Sequence, residues 1–199
     1  MAQKANSYHH GNLSEALVSA GMTLLQDRAA EELSLRAVAE QVGVSRTAPY
    51  AHFPDKRSFL LAISAAGFQR LSDAMEARRV AERGPREQVL VFGDAYVQFA
   101  LDHPNLYRLM LATMTPRNEG DGREQFPGQV QAEARRPHAI LNAEFAKMVS
   151  DPARAEALSQ GAWAMVHGLA SLVGEELIHP HEGGVEGILR TFMDAQQRS

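Results

Sequence analysis

The stretch Leu33–Leu61, LSLRAVAEQVGVSRTAPYAHFPDKRSFLL, decides the fold. Ser34 is placed to cap a short helix running to Val42, and Gly43 sits where a left-handed residue must end it. Val38 and Val42 give that helix a buried face, and Ala39 is small enough for a second helix to cross closely above it. Gly43 turns the chain, Val44 plugs the corner, and Ser45 can cap the next helix, expected over about 45–52. A helix that short cannot stand alone and needs the first as a platform. Pro54-Asp55 then stops the chain and supplies a new N-cap for a long helix, from Lys56 to about Arg83. The pattern predicts a helix-turn-helix.

The second short helix exposes Arg46, Thr47, Tyr50 and His52. An arginine can reach guanine O6 and N7, and a threonine methyl can meet a thymine methyl. Tyrosine and histidine suit phosphate contacts. Lys56 lies in the first turn of the long helix, where the ammonium and the positive helix end both favour a phosphate.

Outward from this unit the chain reads as all-α, with about nine helices and no run of alternating strand-forming residues. A first helix is expected from Asn12, whose spacing to Glu15 is that of a capping box, to about Gln26. Further helices are expected at about 85–102, at 104–113, up to about Val149 with Pro137 starting or kinking it, and from Asp151-Pro152 to about Leu177. A last helix carries Val185, Ile188, Leu189, Phe192 and Met193 on one face. Residues 116–127 are polar and contain Gly and Pro, as in a loop. The expected division is a DNA-binding unit over residues 1–55 and a larger helical unit over 56–199.

The 199 residues include no cysteine, which excludes disulfides, thiolate metal sites and cysteine nucleophiles. Phosphate-binding glycine loops, His-Glu-x-x-His and nucleophile elbows are also absent, so an all-α enzyme is the weaker alternative, beside a ligand-binding module without DNA function. No cofactor is expected. His179-Pro180-His181, with Glu175, Glu176 and Glu182 nearby, reads as a solvated turn rather than a metal site, and Arg78-Arg79 and Arg135-Arg136 as surface charge. The longest apolar run, Gly161–Gly174, falls short of the roughly 20 residues a membrane span needs, so a cytoplasmic protein with no membrane partner is expected. The net charge of −4 looks unfavourable for DNA, yet residues 1–60 carry six basic and six acidic side chains, and the whole deficit lies beyond them.

Between Tyr8 and Gly67 the chain resembles the tetracycline-repressor (TetR) family of bacterial transcriptional regulators. The resemblance rests above all on Tyr50-Ala51-His52-Phe53-Pro54-Asp55-Lys56, which fits the family's Tyr-x-His-Phe-x-x-Lys signature. Tyr8-His9-His10-Gly11-Asn12 is similar to the opening of one branch, whose ligand domain carries a Trp-His-Gly signature; Trp163 and His167-Gly168 are similar to it. By position, the resemblance implies that Ser34 and Arg36 touch DNA. It also implies that Arg46, Thr47, Ala48, Tyr50, Ala51 and His52 line the recognition helix and that Lys56 holds a phosphate. Pro49 departs from the aliphatic residue more usual there, and Ala51 is too small for a strong thymine contact.

The resemblance further implies a homodimer on double-stranded DNA, its two-fold axis demanding a palindromic operator. Leu158, Met165, Leu169, Leu172 and Leu177 form a stripe that fits such an interface, joined by Gly161, Gly168, Ile188, Leu189, Phe192 and Met193. It implies, finally, a pocket for a small, largely apolar effector. Phe68, Leu71, Phe92, Tyr96, Phe99, Tyr107, Met110, Met114, Phe126, His138, Leu141, Phe145, Trp163 and His167 are the candidates to line it.

Overall fold

In the computed structural model, residues 10–114 and 128–196 are described, and these are helical without a strand. In chain order the α-helices are α1 (His10–Leu24), α2 (Leu35–Val42), α3 (Lys56–Ala77), α4 (Pro85–Asp102), α5 (Pro104–Met114), α6 (Gly128–Met148), α7 (Pro152–Gly174) and α8 (Gly184–Gln196). Two 3-10 turns, Ala30–Glu32 and Ala48–Ala51, flank α2.

The expected start and stop signals act locally as their chemistry requires. The Ser34 side chain accepts from the Ala37 N–H, and Gly43 closes α2 at φ 77°. The Asp55 carboxylate accepts from the Ser58 N–H at 2.7 Å, and the Asp55 N–H donates back to the Ser58 hydroxyl, completing a capping box. Asp151 caps α7 through the Ala153 N–H, with Pro152 in the first turn.

Several boundaries differ from the sequence expectation. The first helix begins at His10, ahead of Asn12, and stops at Leu24. The long helix stops at Ala77 rather than near Arg83: the Arg78 and Arg79 N–H groups reach back only three residues, to Met75 and Glu76, and the Val80 N–H turns to the side-chain oxygen of Gln88. Pro137 lies inside α6. The helix opened by Asp151 ends at Gly174, three residues before Leu177.

The main correction concerns the element after Gly43. It is not an α-helix over 45–52 but a 3-10 turn over Ala48–Ala51. Proline has no N–H to give to the carbonyl four residues back. The bonds around it reach three residues instead: Ala48 to Ser45, Tyr50 to Thr47, and His52 to Pro49. Pro49 itself is buried against the platform.

One continuous core joins the two ends of the molecule. Leu17, Leu25, Val38, Phe53, Phe59 and Ile63 fill the amino-terminal part. There Gly21 lets α1 lie on α3, since a Cβ at that position would stand 2.6 Å from Ile63 Cδ1. α4 runs through the middle of the larger part, buried along nearly its whole length from Gln88 to Ala100 and packed by α3, α6, α7 and α8. Among the described residues no helix is long and apolar enough to cross a membrane.

Candidate DNA-binding face and effector cavity

The turn between α2 and α3 has a buried underside and a polar top. Val38, Ala39, Pro49 and Phe53 are buried, and the Phe53 ring meets the edge of Phe59 at 5.1 Å between centroids. Ser34, Arg36, Arg46, Thr47, Tyr50 and Ala51 are exposed, while Ala48, His52 and Lys56 are half-buried. The Ser45 and Thr47 hydroxyls lie 3.2 Å apart. Neither Arg36 nor Arg46 makes an ion pair among the described residues. The Lys56 ammonium donates to the Glu31 carbonyl, tying α3 to the turn before α2. An ammonium has three N–H groups, so two remain for another acceptor.

The residues expected to line an effector pocket do not form one group. Phe68, Leu71, Phe92, Phe99 and Met110 are packed into the core. Met114 ends α5 at 40% exposure, and Phe126 lies outside the described residues. A second set makes a polar seam through the apolar interior. The Tyr96 hydroxyl lies 3.1 Å from His167 Nε2 and 3.4 Å from the Tyr107 hydroxyl. His167 Nδ1 is 3.0 Å from the Trp163 carbonyl. A carbonyl only accepts, so Nδ1 carries the proton and Nε2 is left as an acceptor beside the Tyr96 hydroxyl. Burial holds the His167 pKa below the ordinary histidine value despite the Trp163 carbonyl, and burial raises both tyrosines. His138 extends the seam, its ring 5.7 Å from Trp163 and its Nε2 3.2 Å from the buried Ser159 hydroxyl.

The open space lies one layer away. A cavity of about 540 Å³ sits between α4, α6, α7 and α8. Leu141 and Phe145 line it, together with Leu158, Gly161, Met165, Leu189, Phe192 and Met193, which the sequence assigned to an interface. Of the other expected interface residues, Leu169 is buried and Leu172 is 38% exposed; Gly168 and Ile188 are intermediate. Arg154, Val89 and Gly93 also line the cavity and were not foreseen. Arg154 had a signal: it precedes Leu158, Gly161 and Met165 at helical spacing on one face of α7.

The charged pairs at the back of the larger part also depart from expectation. Arg78 and Arg79 are not plain surface charge. Arg78 pairs with Asp94, and Arg79 bridges Glu76 and the buried Glu144 while its guanidinium lies 4.7 Å from the Phe92 ring centroid. Among the described residues no three His, Cys, Asp or Glu side chains come together to hold a metal ion.

An exposed basic turn on a helix-turn-helix platform, joined to a helical part with a cavity, defines a DNA-binding regulator. The comparisons narrow the class. Residues 17–63 match the family model "Bacterial regulatory proteins, tetR family", and residues 89–195, more than half the chain, match "Tetracyclin repressor-like, C-terminal domain". The chain belongs to the TetR family of transcriptional regulators. It is similar, at 28% identity and a TM-score of 0.79, to a solved protein of unknown function from Rhodococcus sp. RHA1, with 97% of each chain covered. A TetR-like transcriptional regulator from the same organism shares the fold at 16% identity and a TM-score of 0.62, covering 92% of this chain and 93% of its own. The TetR regulator SCO7222 of Streptomyces coelicolor does so at 22% and 0.63, covering 82% and 70%. No curated protein sequence matches the chain significantly.

Proposed function

We propose that the protein is a cytoplasmic repressor that binds a palindromic operator as a homodimer and is released by a small, largely apolar effector. Residues 1–55 form the DNA-binding unit in this proposal, and residues 56–199 the effector and dimer unit. One observation carries the proposal: Arg36, Arg46, Thr47 and Tyr50 stand exposed together on a fully packed platform. Polar side chains left exposed on a packed backbone platform are what base and phosphate contacts need.

The dimer face draws support from α7 and α8. Leu172, Leu177 and Phe192 are exposed apolar side chains, and a Cβ at Gly161 or Gly168 would meet nothing within 4 Å. Apolar surface beside small residues suits a second helix pair. Coupling follows from the course of α3. It begins at Lys56 beside the DNA face, packs along α6, and ends next to Arg79, whose pair on α6 is Glu144. The cavity residues Leu141 and Phe145 are on that same α6. An effector that fits one arrangement of α6 better than another biases α3, and with it the spacing of the two recognition turns.

A gel shift with DNA from upstream of the coding region tests the proposal. A retarded band that weakens with salt and competes poorly with random DNA is expected. Absence of any shift at low salt, where phosphate contacts are strongest, sinks it.

A further inference from the structure

We infer that His167 is an acid-sensitive latch: a proton on its ring opens the seam of Tyr96, Tyr107 and His167, releases α5 from α4 and α7, and weakens the grip on the operator. This rests on the operator binding proposed above and adds a mode of control to it.

The seam ties α5 to the helices behind it. Tyr107 of α5 meets Tyr96 of α4 edge-on at 6.0 Å between ring centroids, and His167 of α7 at 6.2 Å. The rest of α5 holds the DNA unit and α3. The Asn105 amide donates to the Leu25 carbonyl at 3.1 Å, just past the end of α1, where helical carbonyls lack partners. The Ser64 and Thr113 hydroxyls are 2.6 Å apart, and a Cβ at Gly67 would stand 2.7 Å from the Met110 sulfur, so α5 lies directly on α3.

His167 is the member of the seam whose side-chain type titrates near neutral pH. In the neutral ring Nδ1–H donates to the Trp163 carbonyl and Nε2 is an acceptor beside the Tyr96 hydroxyl. A proton on Nε2 makes the ring a cation with two donors. Among the described residues no carboxylate pairs with it. Tyr96 from α4 and Tyr107 from α5 stay phenols, because burial raises both. From α7 itself come the Trp163 carbonyl and indole. His138 from α6 stands 5.7 Å from that indole, and Glu156 is 3.9 Å from His138 Nε2. A half-buried cation without a counter-charge is relieved by turning toward water, which breaks the seam. Burial keeps the His167 pKa of the closed seam below the ordinary histidine value, so the open state takes the proton first. The closed seam is therefore favoured fully above about pH 6.5 and loses ground as pH falls below it.

The chain has one tryptophan, Trp163, with its ring centroid 4.8 Å from that of His167, so its fluorescence reports the latch. Titrating the full chain from about pH 8 to about pH 5, the histidine range, should give a transition with its midpoint below about 6.5. The transition should vanish in His167→Gln and persist in His138→Gln. His167→Asn, whose amide takes the place of Nδ1, serves if glutamine unfolds the chain. Operator affinity by gel shift over the same range should fall in wild type relative to His167→Gln by about fivefold or more, the scale of an allosteric coupling. The ratio is read because a proton on His52, at the DNA face, favours binding in both proteins. No transition in wild type, a transition that survives His167→Gln, or an affinity ratio constant with pH would overturn the inference. An operator shift with a constant ratio removes the latch and leaves the repressor standing. No shift at any pH, with the His167-dependent transition intact, does the reverse.

Discussion

Arg79 Nη1 meets the Glu144 carboxylate at 2.6 Å, joining the segment just after α3 to the C-terminal part of the cavity helix α6. Glu144 is 2% exposed, and Lys147 supplies its second cation at 2.9 Å. Burial alone would raise the Glu144 pKa, but the hydrogen bonds from Arg79 and Lys147 outweigh it and hold the carboxyl below its ordinary value. Glu144→Gln should therefore cost about 1–3 kcal/mol in urea unfolding, the range for a buried group that loses a charged partner. A folded-state pKa below the unfolded one gives stability that is complete above about pH 4.3 and is lost as pH falls further. The difference between wild type and Glu144→Gln should shrink in that acid window. A variant as stable as wild type at neutral pH would show the pair to be idle.

Gly43 holds φ 77°, with open space where a Cβ would stand. Its need is thus purely conformational. Gly43→Ala should lose about 1–2 kcal/mol, the cost of an L-residue in the left-handed region, and Gly43→Asn less. Equal unfolding midpoints for all three would mean the turn relaxes freely.

Arg46 and Lys56 should fail differently on DNA. Arg46→Ala should relax sequence preference, losing about 1–3 kcal/mol of discrimination at one base position. Lys56→Ala should weaken binding to all sequences alike and reduce the salt slope by about 1. It should also loosen the turn at Glu31, where its ammonium donates. Wild-type affinity and preference in both variants would move the DNA face elsewhere.

Leu172 is on α7, partly exposed and outside the cavity lining. Leu172→Glu puts a charge on the proposed dimer face while sparing the core. Analytical ultracentrifugation should show monomers, and operator affinity should fall with them. A variant that stays dimeric would place the interface on another surface.

What the sequence discloses and what it hides divide along physical lines. Ser34, Gly43, Asp55 and Asp151 act through their own neighbours, and each caps or ends a helix as its chemistry demands. Pro49 is visible too, but the spacing predicts an α-helix over about 45–52, where the chain forms a 3-10 turn over Ala48–Ala51. Helical spacing shows which residues share a face, not where facing surfaces leave a gap. Leu141 and Phe145 therefore look like effector residues and Leu158 and Met165 like interface residues, although one cavity takes all four. The Tyr96–His167 and Arg79–Glu144 contacts span 71 and 65 positions, and only the packing of α4, α6 and α7 brings them together.

Hydroxyl-radical footprinting of the full chain on a retarded upstream fragment tests the central claim most directly. A two-fold regulator that presents Arg46 and Tyr50 from each subunit should protect two symmetric patches, centred about one helical turn or a whole multiple of it apart. Arg46→Ala should lose protection at both patches together. A single unsymmetrical patch, or uniform protection indifferent to sequence and to Arg46, would contradict the account.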